Sequence, residues 1–199
     1  MTSSPNRIHI LTERLALCRP NENDLRAIYE IHADPETNRH NPKGPMQSES
    51  EAVDILAHWQ AEWDDKGWGY WSIALCSNPE RIIGFGGIST RPRFGGNSLL
   101  QKLMAENAAN LYFRFRPEAW GRGYANEMAQ QALQLAFGAA GVQRVVGITR
   151  ESNTLSRKAL ERIGLSFHEL SSDVPGQEPS LVYAIDAVSF AAQIAATPC

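Results

Sequence analysis

The chain has 199 residues, of which 43% are hydrophobic and 21% charged, and its formal net charge is −3. That length suits one domain with a sizeable core, the composition excludes a disordered chain, and the acidic balance weighs against a general nucleic-acid binder. A single domain over residues 1–199 is expected, with its core at about 11–186.

In chain order, residues 14–19 (RLALCR) alternate as a strand does, and Pro20 stops them. Asn21 caps a helix over NENDLRAIYEIHAD; Leu25, Ile28 and Ile31 share one face, and Asp34-Pro35 ends it. Residues 36–47 hold Pro42, Gly44 and Pro45 and read as a loop. Ser48 caps a second helix, Glu51 completes a capping box, and Val53, Leu56, Gln60 and Trp63 keep helical spacing. Residues 69–76 read as a strand, SNPE as a turn and residues 81–89 as a second strand, whose glycines point to a bulge or a close backbone approach. Residues 91–108 begin loop-like, with LLQKLMAENA a short helix or a long excursion. Residues 110–115 are a strand, 124–139 a helix with Met128, Ala132, Leu135 and Ala136 on one face, and 142–149 a strand. Residues 153–164 are a helix with an Asn cap and a terminal glycine. LSFHEL and SLVYAID are the closing strands, and AAQIAATPC reads as a fraying end. The pattern is mixed α/β, with antiparallel hairpins before and after a parallel strand–helix–strand unit.

Cys18, Cys76 and Cys199 form no CxxC pair and read as reduced thiols of a cytoplasmic protein. His9, His32, His40, His58 and His168 form no HxxxH pair, so no metal site is expected. The N-terminus lacks the charged lead and apolar core of a signal peptide, and no run approaches the roughly 18 apolar residues of a membrane span.

FRFRPEAWGRGYANEMAQQAL (residues 113–133) opens like a strand and closes like a helix, with Gly121 and Gly123 flanking Arg122 at the junction. A helix N-terminus presents unpaired N–H groups and the positive end of its dipole, and glycines let a large anion approach the main chain. Residues 120–126 are therefore a candidate phosphate cradle; a plain tight turn is the alternative. Asn126 stands where a dinucleotide fingerprint needs its third glycine, no acid lies in residues 143–146, and no GxxxxGK[ST] occurs. The two commonest nucleotide folds are thus disfavoured.

PEAWGRGYANEMAQQAL resembles the acetyl-coenzyme-A signature of GNAT-type N-acetyltransferases, Q/R-x-x-G-x-G/A, which falls on Trp120, Gly121, Arg122, Gly123, Tyr124 and Ala125. Gly123 and Ala125 match. Trp120 replaces the usual Gln or Arg, as in the branch of ribosomal-protein N-terminal alanine acetyltransferases, where WGxGYA recurs. LTERLAL resembles that branch's opening strand, and GYWSIAL with ERIIGFGGI its central hairpin. NTLSRKALERIGLSF resembles its N-x-x-S-x-x-x-L-x-K-x-G-F segment, with Arg162 for Lys and Leu165 for Phe. The resemblance covers about residues 11–186.

The resemblance implies a GNAT-like fold: a mixed, mostly antiparallel twisted sheet with a splayed parallel strand pair and about four helices. Coenzyme A would enter a V-shaped gap between residues 110–115 and 142–149 and pair with the main chain of Phe113, Arg114 and Phe115. Its pyrophosphate would rest on the N–H groups of Gly121, Arg122, Gly123, Tyr124, Ala125 and Asn126, with Arg122 adding charge. Asn153 would bond the pantetheine arm as well as cap its helix, with Ser156 one turn on. Many family members carry a Tyr general acid where this chain has Leu160, which has no proton to give. Ser156 matches the serine assigned that role in the alanine-acetyltransferase branch.

In such a reaction the amine attacks neutral and correctly aimed, a carboxylate takes its proton, and a main-chain N–H polarises the carbonyl. Glu178 is the carboxylate chosen, with Glu106 and Glu151 as rivals. The acceptor surface is expected from residues 34–47, the second helix and residues 91–108, where Arg91, Arg93 and Lys102 suit an acceptor bearing a carboxylate or phosphate. Trp59, Trp63, Trp68, Tyr70 and Trp71 read as core, with one or two walling the acceptor site.

The implied function is transfer of acetyl from acetyl-coenzyme A to a primary amine, a protein N-terminus being the leading acceptor. A polyamine, an aminoglycoside or another small amine stays open. A coenzyme-A-binding sensor without turnover is the second reading, kept alive by Leu160. Neither nucleic acid nor a membrane is expected as a partner, and association as a homodimer stays open.

Overall fold

The structure is a computed structural model that describes residues 7–91, 106–172, 174 and 176–196. Arg93, Lys102, Cys199 and most of the segment 91–108 lie outside the described residues. The chain forms two compact units, Met1–Gly87 with Tyr112–Met128, and Ile88–Leu111 with Ala129–Cys199.

In the first unit, β1 (Ile8–Leu11), β2 (Leu15–Cys18), β3 (Tyr70–Leu75) and β4 (Asn78–Ser89) pair in that order, each antiparallel to the next. The sequence pattern leaves β1 unassigned. It has no fully buried residue, so pairing with β2 rather than burial holds it. Leu75 pairs with Asn78 across a two-residue turn, so Asn78, Pro79 and Glu80 are strand and not the predicted turn. Pro79 is tolerated because that end of β4 is exposed. Ile73 pairs with Gly84 and Ala74 with Ile82, which makes Ile83 the extra residue of a bulge.

β5 (Ala108–Phe115) enters this unit at Tyr112. A Cβ on Gly84 would lie 2.5 Å from the Phe115 ring and 2.8 Å from the Arg114 carbonyl, and one on Gly86 would lie 2.7 Å from the Tyr112 carbonyl. The predicted close approach is therefore that of β5 to the bare backbone of β4.

α1 (Leu25–Ala33) and α2 (Glu49–Lys66) lie over these strands. Ile28, Ile31, Leu56 and Trp59 meet Tyr70, Ala74, Ile82 and Phe85 in one buried cluster. Ser48 N–H donates to Glu51 Oε1 at 3.1 Å, the acidic half of the predicted capping box. Val53 is 52% exposed, against its predicted inward place. The buried row is Ala52, Leu56, Trp59 and Trp63, and Val53 stands one residue, about 100° of helix, away from it. Asn21 caps a short 3-10 turn, Glu22–Asp24, that precedes α1. Asp24 is 2% exposed and accepts from both Arg7 Nη atoms at 3.0 and 3.2 Å, from Ser72 Oγ at 2.7 Å and from Asn21 N–H at 3.1 Å. The Ser72 bond pins the turn to β3, and the Arg7 bonds tie it to the residue before β1.

In the second unit, residues 108–111 of β5 pair in parallel with β6 (Arg144–Arg150), ending at Leu111↔Gly147. β6 is antiparallel to β8 (Ser180–Asp186), and β8 to β7 (Ser166–Ser171). α3 (Tyr124–Phe137) is the helix of the predicted strand–helix–strand unit. α4 (Thr154–Arg162) follows β6. α5 (Ala187–Ala196) stands where most of a fraying end was predicted. Asp186 Oδ1 accepts Ser189 N–H at 2.8 Å to start it, and the Phe190 ring meets Phe137 at 5.0 Å. No residue of α5 is buried. The fold is mixed and mostly antiparallel with one parallel pair, as the resemblance implies; among the described residues there are five α-helices. None of them is long and apolar enough to cross a membrane.

Candidate functional site

The predicted site residues divide between the two units. In the first, a 3-10 turn, Pro117–Ala119, leads from β5 to α3, and Trp120 Nε1 donates to the Phe115 carbonyl at 2.8 Å. The indole thereby closes the turn. Gly121 (φ +70°) and Gly123 (φ +80°) are both left-handed. A side chain in that region costs about 1–2 kcal/mol. A Cβ on Gly121 would meet nothing within 4 Å, so the space over it is open. Tyr124, Ala125 and Asn126 form the first turn of α3, partly exposed. Arg122 is exposed, and its Nε turns back to the Glu118 carbonyl at 3.0 Å.

Three residues without a predicted role complete this turn: Thr12, Arg14 and Glu127. Arg14 Nη1 donates to the Arg122 carbonyl at 2.9 Å, and its Nε donates to Glu127 Oε2 at 2.7 Å. Its guanidinium lies 4.9 Å from the centre of the Tyr124 ring, a cation–π distance. Thr12 Oγ1 and Arg14 N–H both donate to Glu127 Oε1, at 2.5 and 2.9 Å. Burial alone raises the Glu127 carboxyl, but the bonds from Thr12 and Arg14 outweigh it and hold the group below its ordinary value. A trans peptide points its carbonyl and its N–H in opposite directions. With the Arg122 carbonyl held by Arg14, the Gly123 N–H faces away from Arg14. The sequence signal was LTERLAL, whose Thr12 and Arg14 do not belong to the strand it contains.

These residues fit a pyrophosphate. The donors are main-chain N–H groups at two left-handed glycines and at the start of a 14-residue helix. The acid in the first helical turn, Glu127, is neutralised by Arg14, which removes its repulsion of an anion.

The side chains of β5 divide by parity. Phe115 is buried, while Arg114 Nη1 donates to Asn38 Oδ1 at 2.8 Å. Beside it, the Tyr112 hydroxyl lies 3.0 Å from His32 Nε2, and His32 Nδ1 lies 2.8 Å from the Ile28 carbonyl. A carbonyl only accepts, so Nδ1 carries the imidazole proton and Nε2 accepts from Tyr112. Burial, helped by the Arg114 charge, pushes His32 from 6.5 to about 3. It is no general base at neutral pH. Burial also pushes the Tyr112 phenol up, against the opposing pull of Arg114. Trp59, Trp63, Tyr70 and Trp71 are buried, as core residues should be, and Trp68 is partly exposed.

In the second unit, Asn153 Oδ1 accepts Ser156 N–H at 3.1 Å, the predicted cap of α4. The Ser156 side chain takes no part in that bond. Leu160 is 2% exposed, and a Cβ on Gly147 would lie 2.6 Å from its Cδ2. Leu160 thus packs an isobutyl group on the bare backbone of β6. Glu178 is exposed, and its main-chain carbonyl accepts from Arg150 Nη1. Glu151 is exposed, with its carbonyl held by Arg157 Nη1 at 3.3 Å. Glu106 lines a groove with Arg144 and Asp186. Arg91 is exposed and its main-chain N–H donates to Ser89 Oγ at 2.9 Å. Among the described residues no group of three or more His, Cys, Asp or Glu could hold a metal ion.

The sequence model of a family described as "Acetyltransferase (GNAT) domain" matches residues 14–166. An uncharacterized N-acetyltransferase of Bacillus subtilis, YoaA, is 25% identical over 155 residues, 77% of this chain and 80% of that protein. Among solved structures, an acetyltransferase from Agrobacterium tumefaciens has a TM-score of 0.69 at 25% identity, covering 93% of this chain and 96% of that one. Spermidine N-acetyltransferase from Vibrio cholerae, solved with CoA and spermine, has a TM-score of 0.70 at 14% identity, covering 90% and 99%. That last likeness is one of fold.

Proposed function

Because the chain belongs to the acetyltransferase (GNAT) domain family and is an N-acetyltransferase with acetyl-coenzyme A as co-substrate, we propose that its acceptor is the N-terminal amine of a protein or peptide, as in the alanine-acetyltransferase branch its motifs resemble. The observation that carries the cofactor side of this reading is the turn into α3, where Arg14 grips the Arg122 carbonyl and the Gly123 N–H is turned away from it.

Acetyl-coenzyme A supplies the thioester. In this reading the N–H groups of Gly121, Arg122, Gly123, Tyr124, Ala125 and Asn126 hold the pyrophosphate. The main chain of Phe113, Arg114 and Phe115 aligns the pantetheine arm, and Asn153 bonds it. A main-chain N–H of β5 polarises the acetyl carbonyl. Glu178, exposed and able to act through water, takes the proton from the amine as the C–N bond forms. Ser156 donates a proton to the sulfur as the C–S bond breaks, and regains one from solvent. The packed, aprotic Leu160 supports Ser156 as that donor, since the position one turn on has nothing to give.

The test is thiol release from acetyl-coenzyme A with peptides of free N-termini, spermidine and an aminoglycoside. Mass spectrometry then locates the acetyl group. We expect N-terminally acetylated peptide. Turnover of the small amines without any peptide product would sink this acceptor.

A further inference from the structure

The strand proposed to offer main-chain groups to the cofactor also carries a cation, Arg114, that pairs with no carboxylate among the described residues. Arg114 is partly buried, and its Nη1 bonds Asn38 Oδ1 at 2.8 Å. Arg116, two positions on, shows the contrast: it pairs with Glu30 at 2.7 Å and donates to the Ile82 carbonyl at 2.9 Å. The groups beside Arg114, the Tyr112 phenol and the His32 imidazole, are both neutral.

Asn38 holds the guanidinium in a fixed place. It is 5% exposed, and its Nδ2 donates to the His32 and Asp34 carbonyls, both at 2.8 Å. Its Oδ1 also accepts from Asn41 Nδ2 at 2.8 Å. A guanidinium carries five N–H donors in a planar fork; Asn38 takes one and the Tyr112 hydroxyl another, which leaves part of the fork for an anion. A partly desolvated charge that is fixed and uncompensated is costly until an anion completes it, and the fork matches a carboxylate.

We propose that Arg114 reads an anionic group on the acceptor, so that the acceptor is a primary amine with a nearby carboxylate, on an acidic peptide N-terminus or on a free amino acid. The assignment rests on the reading above that the chain acetylates a primary amine, and on residues 34–47, which hold Asn38, facing the acceptor. It also separates this chain from enzymes for polyamines, because an uncompensated guanidinium repels a polycation.

The experiment compares kcat/KM for four acceptors: a peptide with Asp or Glu next to its N-terminal residue, the same peptide with Asn or Gln there, a free amino acid, and spermidine. Wild-type protein should favour the acidic peptide or the amino acid over the neutral peptide by at least tenfold, with spermidine last. Whichever of the two leads identifies the source of the carboxylate. In Arg114→Gln the ratio of acidic to neutral peptide should fall to about one, and Arg114→Lys should restore part of it. Because the ratio compares two peptides on the same variant, any change in coenzyme-A binding scales both alike and cancels from it. A wild-type preference for neutral or polycationic amines, or an unchanged ratio in Arg114→Gln, overturns the assignment alone. Coenzyme-A binding with no turnover of any amine overturns the acceptor reading and this assignment together. The wild-type ratio decides the substrate class even if a variant does not fold.

Discussion

Arg14 and Glu127 meet at 2.7 Å across 113 residues of sequence, and the same guanidinium holds the Arg122 carbonyl at 2.9 Å. One side chain therefore neutralises the acid in the first turn of α3 and fixes the peptide that precedes Gly123. The positive character of this helix start depends on a residue from the turn between β1 and β2.

Arg14→Ala should raise KM for acetyl-coenzyme A about tenfold, the scale of one lost charge-assisted bond, with a smaller change in kcat. Steady-state kinetics and calorimetric titration with coenzyme A check this. A fall in kcat with unchanged coenzyme-A affinity would refute the positioning role.

Gly123→Val should abolish the rise in melting temperature caused by coenzyme A. At φ +80° a β-branched residue is strained, and it would move the N–H groups around it. Gly121→Ala, over open space, should keep the fold at a cost of about 1–2 kcal/mol and weaken coenzyme-A binding less. Melting curves with and without coenzyme A separate the two.

Ser156→Ala should lower kcat about 100-fold, the low end for a lost general acid, while the melting shift with coenzyme A persists. Leu160→Tyr should not rescue it. Leu160 is sealed against Gly147, and a larger ring there should cost about 1–3 kcal/mol by overpacking. A double variant that regains activity would overturn the assignment.

His32 should make the fold acid-sensitive. Its native imidazole stays neutral down to about 3, whereas the unfolded chain takes up that proton below about 6.5. The unfolded state therefore binds more protons in this window, and stability is lost as pH falls from 6.5 toward 3. The slope is at most about 1.4 kcal/mol per pH unit. Urea midpoints at pH 7, 6, 5 and 4 should fall more steeply for the wild type than for His32→Asn.

Asp24→Ala should cost about 3–5 kcal/mol, because it strands Arg7 without its acid and frees Ser72 and Asn21 N–H. Thermal unfolding measures this. A loss under 1 kcal/mol would show that water replaces the carboxylate.

What the sequence made legible follows from range. Gly121 and Gly123 could be read because a left-handed turn before a helix is a local matter of conformation. The Asn153 cap is likewise set within four residues. Arg14, Thr12 and Glu127 could not be assembled that way, since nothing near any one of them names the others. Arg114 was read for its main chain, and only the structure shows its side chain on Asn38. Val53 was misplaced because periodicity fixes a helical face to within a residue, and the choice between Ala52 and Val53 depends on what the helix packs against. That Leu160 has no proton to give follows from its residue type, but its packing on Gly147 is a tertiary fact.

The bond from Arg14 to the Arg122 carbonyl spans 108 positions. Closing so long a loop is slow, and contacts of this separation tend to form late. α3 can coil from its own local bonds well before the turn at residues 12–14 reaches it. During refolding, helix content should therefore recover before the full affinity for coenzyme A. Full ligand affinity in this protein is then a matter of timing, reached late in assembly.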